Sequence, residues 1–103
     1  MTSTNQDPSF SISPSEFKDY LETLLILDIR TPREFENFNF GGIHIPLDEL
    51  LLRINEFEHL KNDEIVVICY TGLQSEIARK ILEKKGFSRL RNLEGGLEAF
   101  LNL

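Results

Sequence analysis

The chain has 103 residues, 41% of them hydrophobic and 27% charged, a balance that suits one globular domain with one core and argues against two domains or wholesale disorder. Its formal charge of −6 and pI near 4.9 would repel polyanions, which argues against nucleic acid or an anionic membrane surface as partner. The single cysteine excludes an internal disulfide and any paired-cysteine zinc or dithiol centre.

Met1 to Pro8 is polar and reads as a flexible leader, with the domain proper spanning residues 9–103. The N-terminus lacks the basic start and apolar core of a secretory signal, and no apolar run approaches the length of a bilayer. A reducing cytoplasm, where a free thiol persists, is therefore the expected compartment. Phe10 and Ile12 alternate with Ser9 and Ser11, as in a short half-exposed strand. Ser13-Pro14-Ser15-Glu16 has the pattern of a capping box, opening a helix that carries Phe17, Tyr20 and Leu21 inward. Leu24 to Ile29 is nearly all aliphatic, the mark of a strand covered on both faces. Thr31-Pro32-Arg33-Glu34 repeats the capping box and starts a second helix, which Gly41-Gly42 breaks before a strand over Ile43 to Ile45. Apolar residues at 47, 50, 51, 54 and 57 have helical spacing.

Ile65 to Ile68 is another aliphatic strand, delivering Cys69 at its end. A loop over Tyr70 to Gln74 leads into a helix with Ile77, Ala78, Ile81 and Leu82 on one face and Gly86 at its C-cap. A strand near Arg89 to Leu93 and a short helix from Leu97 close the chain. Strands alternating with helices predict an α/β domain built on a five-stranded, mainly parallel sheet. In such sheets ligands bind beyond the carboxyl ends of the strands, and Asp28-Ile29-Arg30 and Cys69 both fall there.

The segment Cys69-Tyr70-Thr71-Gly72-Leu73-Gln74-Ser75 joins a strand to a helix through a loop with one glycine. Such a loop curls its backbone N–H groups into an anion-binding nest at the positive end of the helix dipole, and Gly72 allows the positive φ a tight curl needs. A thiolate, or a terminal persulfide anion, is favoured in that setting. The same context also fits an inert cysteine buried as a small hydrophobe.

From about Ile12 to Phe100 the chain resembles a single-domain rhodanese, a member of the sulfurtransferase family. Leu27-Asp28-Ile29-Arg30 with Glu34-Phe35 is similar to the family's D-x-R…E-[FY] segment, and Gly41-Gly42-Ile43-His44-Ile45-Pro46-Leu47 to its G-A-x-N-I-P-L segment. Val66 to Ser75 is similar to the active-site loop V-x-Y-C-x-x-G-x-R-S, and Gly86-Phe87 with Leu93 to Phe100 to the closing G-F…L-x-G-G-x-x-A-W. The resemblance implies a rhodanese-like fold with helices on both faces of the sheet. It makes Cys69 the sulfur-accepting nucleophile, cradled by the backbone of Tyr70, Thr71, Gly72, Leu73, Gln74 and Ser75, with Asp28 and Arg30 bracing the loop. It implies a small sulfur donor such as thiosulfate, or a protein persulfide, and a thiol or cyanide acceptor, with no metal or organic cofactor.

Three departures stand out. Gln74 replaces the family's usual Arg, which removes a cationic contact to an anionic donor. Asn37-Phe38-Asn39 replaces a common G-H-I run and Phe100 replaces the usual Trp, both read as packing changes. Two other readings compete with sulfur transfer: a rhodanese-fold binding or regulatory module, which Gln74 favours, and a fold-related phosphatase or arsenate reductase, which would need a longer loop with an Arg. Elsewhere the residues read as structural. His44 lacks a second ligand at metal spacing, His59 reads as a surface residue, Arg33 and Glu34 as solvated helix residues, and Arg79 as exposed. Gly95-Gly96 lacks a phosphate-loop context and reads as a tight turn into the last helix.

Overall fold

The structure is a computed structural model that describes residues 10–103; the expected leader and Ser9 lie outside the described residues. Five strands and four α-helices follow one another, alternating except between β3 and β4: β1 (Ser11–Ile12), α1 (Pro14–Asp19), β2 (Ile26–Asp28), α2 (Pro32–Asn37), β3 (Ile43–His44), β4 (Glu64–Ile68), α3 (Leu73–Lys84), β5 (Arg89–Leu93) and α4 (Gly96–Leu101). The strands order as β1-β5-β4-β2-β3, and every neighbouring pair is parallel. The predicted α/β class and parallel sheet are therefore seen.

The alternation along β4 explains the layers. Ile65, Val67 and the following Cys69 join one core with Ala78 and Leu82 of α3 and with Phe57 and Phe87. Val66 and Ile68 join the other with Phe17 of α1 and Leu97 of α4. Successive side chains of a strand point to opposite faces, so the unbroken apolar run from Ile65 to Ile68 must be covered twice, and helices lie on both faces of the sheet. The second core also takes the edges of Phe40 and Phe100 against Phe17, both with ring centroids at 5.5 Å.

Local signals set the helix ends. Thr31 Oγ1 accepts from the Glu34 N–H at 3.2 Å and Glu34 Oε1 accepts from the Thr31 N–H at 3.0 Å, a complete capping box. At α1 only half of the box forms. Ser13 Oγ accepts from the Glu16 N–H at 3.1 Å, whereas the Glu16 carboxylate reaches across to Arg91 at 3.1 Å. Gly86 closes α3 in a Schellman motif, with its N–H on Glu83 O and the Phe87 N–H on Leu82 O, both at 3.1 Å.

Four expectations are corrected. Tyr20 is exposed at 56%, because α1 stops at Asp19 and the chain turns out of helical geometry at Tyr20 itself. Residues 47–57 form no α-helix but separate 3₁₀ turns over Leu47–Glu49 and Ile54–Glu56, followed by a third over Glu58–Leu60. Arg53 (φ −114°, ψ 12°) and Phe57 (φ −133°, ψ 17°) leave helical geometry and interrupt the run, while Leu50 and Phe57 still reach the core. In this segment Arg53 pairs with Glu49 and Glu56, and its hydrogen bond holds the Glu56 carboxyl below the usual carboxylate range. Ile77 is exposed at 54% because the buried stripe of α3 runs through Ser75, Ala78, Arg79 and Leu82, rotated away from it. Arg79 is buried rather than exposed: its guanidinium pairs with Glu76 at 2.8 Å and lies over the Phe10 ring at 4.5 Å.

Candidate functional site

The order of the strands prepares the site. From β2 the chain moves out to β3 and then returns to the other side of β2 with β4, so β2 and β4 are neighbours that feed helices toward opposite edges. Their carboxyl ends lie side by side, Asp28 in register with Ile68. A crevice at such a reversal of strand order is where open α/β sheets bind ligands.

Cys69 leaves β4 at the floor of this crevice and is 2% exposed. Its Sγ accepts the N–H groups of Gly72 at 3.1 Å and Ser75 at 3.2 Å. The expected nest is thus made by two of the loop's N–H groups, while the Leu73 N–H turns to Thr71 Oγ1 at 3.4 Å. Gly72 precedes α3 at φ 91°, a left-handed conformation that only glycine adopts without cost, and it aims these donors at the sulfur. The twelve residues of α3 add the positive end of their dipole.

The loop is braced from the far end of the chain. The Leu97 N–H donates to Cys69 O at 3.0 Å and the Glu98 N–H to Tyr70 O at 2.8 Å, so the first turn of α4 caps the loop's carbonyls. This needs backbone against backbone: a Cβ on Gly96 would stand 2.3 Å from Tyr70 O. Gly95-Gly96 does turn into the last helix as read, and it also seats the loop. Asn92 of β5 completes the brace, donating from Nδ2 to Gly72 O at 3.1 Å and accepting from Ser75 Oγ at 2.5 Å.

Asp28 and Arg30 form a buried pair, with Arg30 Nε at 2.9 Å and Nη2 at 2.7 Å from the carboxylate. The same guanidinium donates to Phe38 O at 2.6 Å and Glu34 O at 3.3 Å, which ties down the end of α2. Arg30 and Glu34 then form the wall of a cleft of about 310 Å³ whose other lining residues are Cys69, Tyr70, Thr71, Leu73 and Gln74. Its one guanidinium is already committed to Asp28, and Gln74 brings no charge. An adjoining hollow of about 240 Å³ extends the cleft over Phe38, Tyr70, Leu97 and Leu101. A larger cleft of about 440 Å³ lies at the amino ends of the strands, around Leu25, Glu64 and Arg91, and holds no thiol.

The remaining candidates are structural. His44 Nε2 meets Arg30 O at 2.9 Å and its ring stacks on Phe35 at 4.2 Å, while His59 is exposed. Asn39 bridges Phe35 O and the Gly41 N–H, both at 2.8 Å, and Phe100 packs in the second core. Among the described residues no three His, Cys, Asp or Glu side chains are grouped to hold a metal.

Residues 13–103 match the model of the rhodanese-like domain family. The chain belongs to that family. A putative sulfur carrier protein of Bacillus subtilis, YrkF, is 39% identical over 100 residues, covering 93% of this chain and 53% of the relative. The thiosulfate sulfurtransferase PspE of Escherichia coli is 37% identical over 73 residues, covering 70% of this chain and 69% of the relative. The chain thus spans about half the length of the first and some two thirds of the second. Among solved structures, a rhodanese-like domain protein of Staphylococcus aureus superposes with a TM-score of 0.78 at 29% identity, covering 88% of this chain and 90% of that one. Proteins named as sulfurtransferases are thus among its relatives.

The partners of the loop were the part that sequence reasoning missed. Asn92 stands seventeen residues from Ser75 and shows no motif of its own. The one available signal was the Gly95-Gly96 pair beside it, which marks a close approach of backbones.

Proposed function

We propose that Cys69 carries sulfane sulfur as a persulfide, taking it from a donor and passing it to a thiol or to cyanide. The observation that carries this reading is the pair of backbone N–H groups on Sγ, at 3.1 and 3.2 Å, at the N-terminus of α3. Fixed donors at that position stabilise either a thiolate or a persulfide anion without any reorganisation. With thiosulfate, the Cys69 thiolate attacks the sulfane sulfur, a new S–S bond forms, and sulfite leaves with the electron pair of the bond that breaks. With a protein persulfide, Cys69 attacks the outer sulfur and the donor's thiolate leaves. A thiol or cyanide then attacks the outer sulfur on Cys69, releasing a new persulfide or thiocyanate and restoring the thiolate. Splitting the transfer this way is nucleophilic catalysis in two steps.

The cleft favours a protein persulfide over thiosulfate as donor. Its guanidinium is bonded to Asp28, Glu34 adds a negative charge, and Gln74 is neutral. A dianion gains little there, whereas a persulfide on a protein surface meets the apolar rim of Phe38, Tyr70 and Leu73, all exposed. The relatives named as sulfur carrier and as thiosulfate sulfurtransferase are consistent with either donor. A reducing cytoplasm is the compartment in which this thiol would stay available. No described helix is long and apolar enough to cross a membrane.

The test is intact-protein mass after reduction, followed by incubation with thiosulfate or, separately, with a persulfidated cysteine desulfurase. A gain of one sulfur that cyanide removes and Cys69→Ser abolishes is the expected result. Sulfur uptake by the serine variant would overturn the assignment of Cys69. No uptake by the wild-type chain from either donor would favour a second reading, a binding module that keeps the loop without transfer, for which the neutral Gln74 is the supporting observation.

A further inference from the structure

The hydrogen-bond chain behind Cys69 has one consistent direction. The Gly72 carbonyl can only accept, so the Asn92 amide must turn Nδ2 toward it, at 3.1 Å. That leaves Asn92 Oδ1 facing Ser75 Oγ at 2.5 Å, and Oδ1 too can only accept. The one hydroxyl proton of Ser75 is therefore committed to Asn92. What Ser75 turns toward Cys69 Sγ, 3.2 Å away, is a lone pair, which accepts from an S–H and repels a sulfur anion.

We propose that Asn92 is a positioning residue that, through the Ser75 hydroxyl, holds the proton on the resting Cys69 sulfur. This rests on the reading of Cys69 as the sulfur acceptor, because only a reacting sulfur gives the relay a consequence for transfer. The sulfur sits between two opposed influences. The N–H groups of Gly72 and Ser75 favour the anion, while the side-chain relay favours the thiol. When the proton leaves Cys69 for solvent or an incoming base, the Ser75 hydroxyl has two choices. It stays on Asn92 and presents a lone pair to the anion, or it swings to the sulfur and leaves Asn92 Oδ1 without that donor. Either choice costs something, and Asn92 sets the cost.

The charged and titratable groups that share the cleft with Cys69 are Arg30, Glu34 and Tyr70. Arg30 is bonded to Asp28, α3 contributes the neutral Leu73 and Gln74 to the lining, and α4 meets the loop with backbone N–H groups. From β5 the side chain on the relay is the neutral Asn92. Substituting Asn92 therefore alters the relay and leaves those charges in place.

Because Cys69 is the only cysteine, the pH profile of its alkylation by iodoacetamide reads this one sulfur. Asn92→Leu frees the Ser75 hydroxyl to donate to the anion, and the midpoint of the profile should fall by about one pH unit, the equivalent of a modest hydrogen bond to a charged group. Ser75→Ala removes the acceptor of the S–H and should also lower the midpoint. Adding Asn92→Leu to Ser75→Ala should then change nothing further. If Asn92→Leu does not fold, Asn92→Ala replaces it with the same expectation. An unmoved midpoint in the single Asn92 variant, or the same fall in the Ser75→Ala background, would overturn the relay and leave Asn92 as a support for Gly72 alone. Sulfur loading of the same proteins separates the two ideas. A shifted profile with no sulfur gain in the wild-type chain sinks sulfur transfer and upholds the relay, and sulfur gain with an unshifted profile does the opposite.

Discussion

Gln74 lines the cleft, and the guanidinium that shares this lining is spent on Asp28 and on two carbonyls of the α2 segment. A cation added at position 74 would be the first in this cleft free to meet an anionic donor. Gln74→Arg should raise the rate of sulfur loading from thiosulfate about tenfold, since a hydrogen bond between charged groups contributes roughly 1.5–3 kcal/mol. Loading from a persulfidated protein should change much less. Mass spectrometry of time points with both donors gives the comparison, and an unchanged thiosulfate rate would mean that the missing charge is not what limits this cleft. At this scale the site was legible wherever its parts are adjacent in the chain: the cysteine, the glycine and the helix start within seven residues. Asn92 and the contact of Gly96 with Tyr70 were not, because both meet the loop only after β5 and α4 have docked.

The two capping sequences look alike on paper and differ in the fold. Thr31 and Glu34 exchange both bonds, whereas Glu16 gives its carboxylate to Arg91 and so links α1 to β5. Thr31→Ala should cost about 1 kcal/mol and lower the melting temperature by roughly 4–8 °C, as read by calorimetry; no change would show that the α2 segment is held by Arg30 alone. Strands were the elements best read from sequence, because an unbroken aliphatic run has few other uses in a chain of this size. The 3₁₀ turns after β3 were misread for a physical reason: contacts at i and i+3 satisfy both an α-helix and a string of tighter turns, and pattern alone does not separate them. The faces of α1 and α3 went wrong at Tyr20 and Ile77. One helix is too short to carry its period that far, and the other buries a charged Arg79 where an aliphatic side chain was expected.

Across the molecule, protection should follow the order of the sheet. β4 lies at the centre with all of Ile65 to Ile68 buried, while β1 and β3 are two-residue strands at the edges. Amide hydrogen exchange should therefore be slowest in β4 and fastest in the edge strands, where local opening exposes the fewest apolar contacts. Equal rates across the sheet would contradict the two-core arrangement. The family match runs from residue 13 to residue 103 and so takes in both α1 and α4, the first and last helices, which pack together.

The recess of Cys69 bears on how this protein meets others like itself. A thiol 2% exposed at the floor of a cleft is poorly placed to crosslink with the same thiol in a second copy, since a disulfide brings its two Cα atoms to within about 7 Å. Under mild oxidation the chain should therefore stay unlinked even at high concentration. A sulfur atom added to Cys69 would stand about 2 Å beyond Sγ, beside the cleft that Tyr70 and Leu73 also line. On the proposed reading, the empty form would be sheltered from indiscriminate exchange, and the loaded form would hold its cargo one bond farther out.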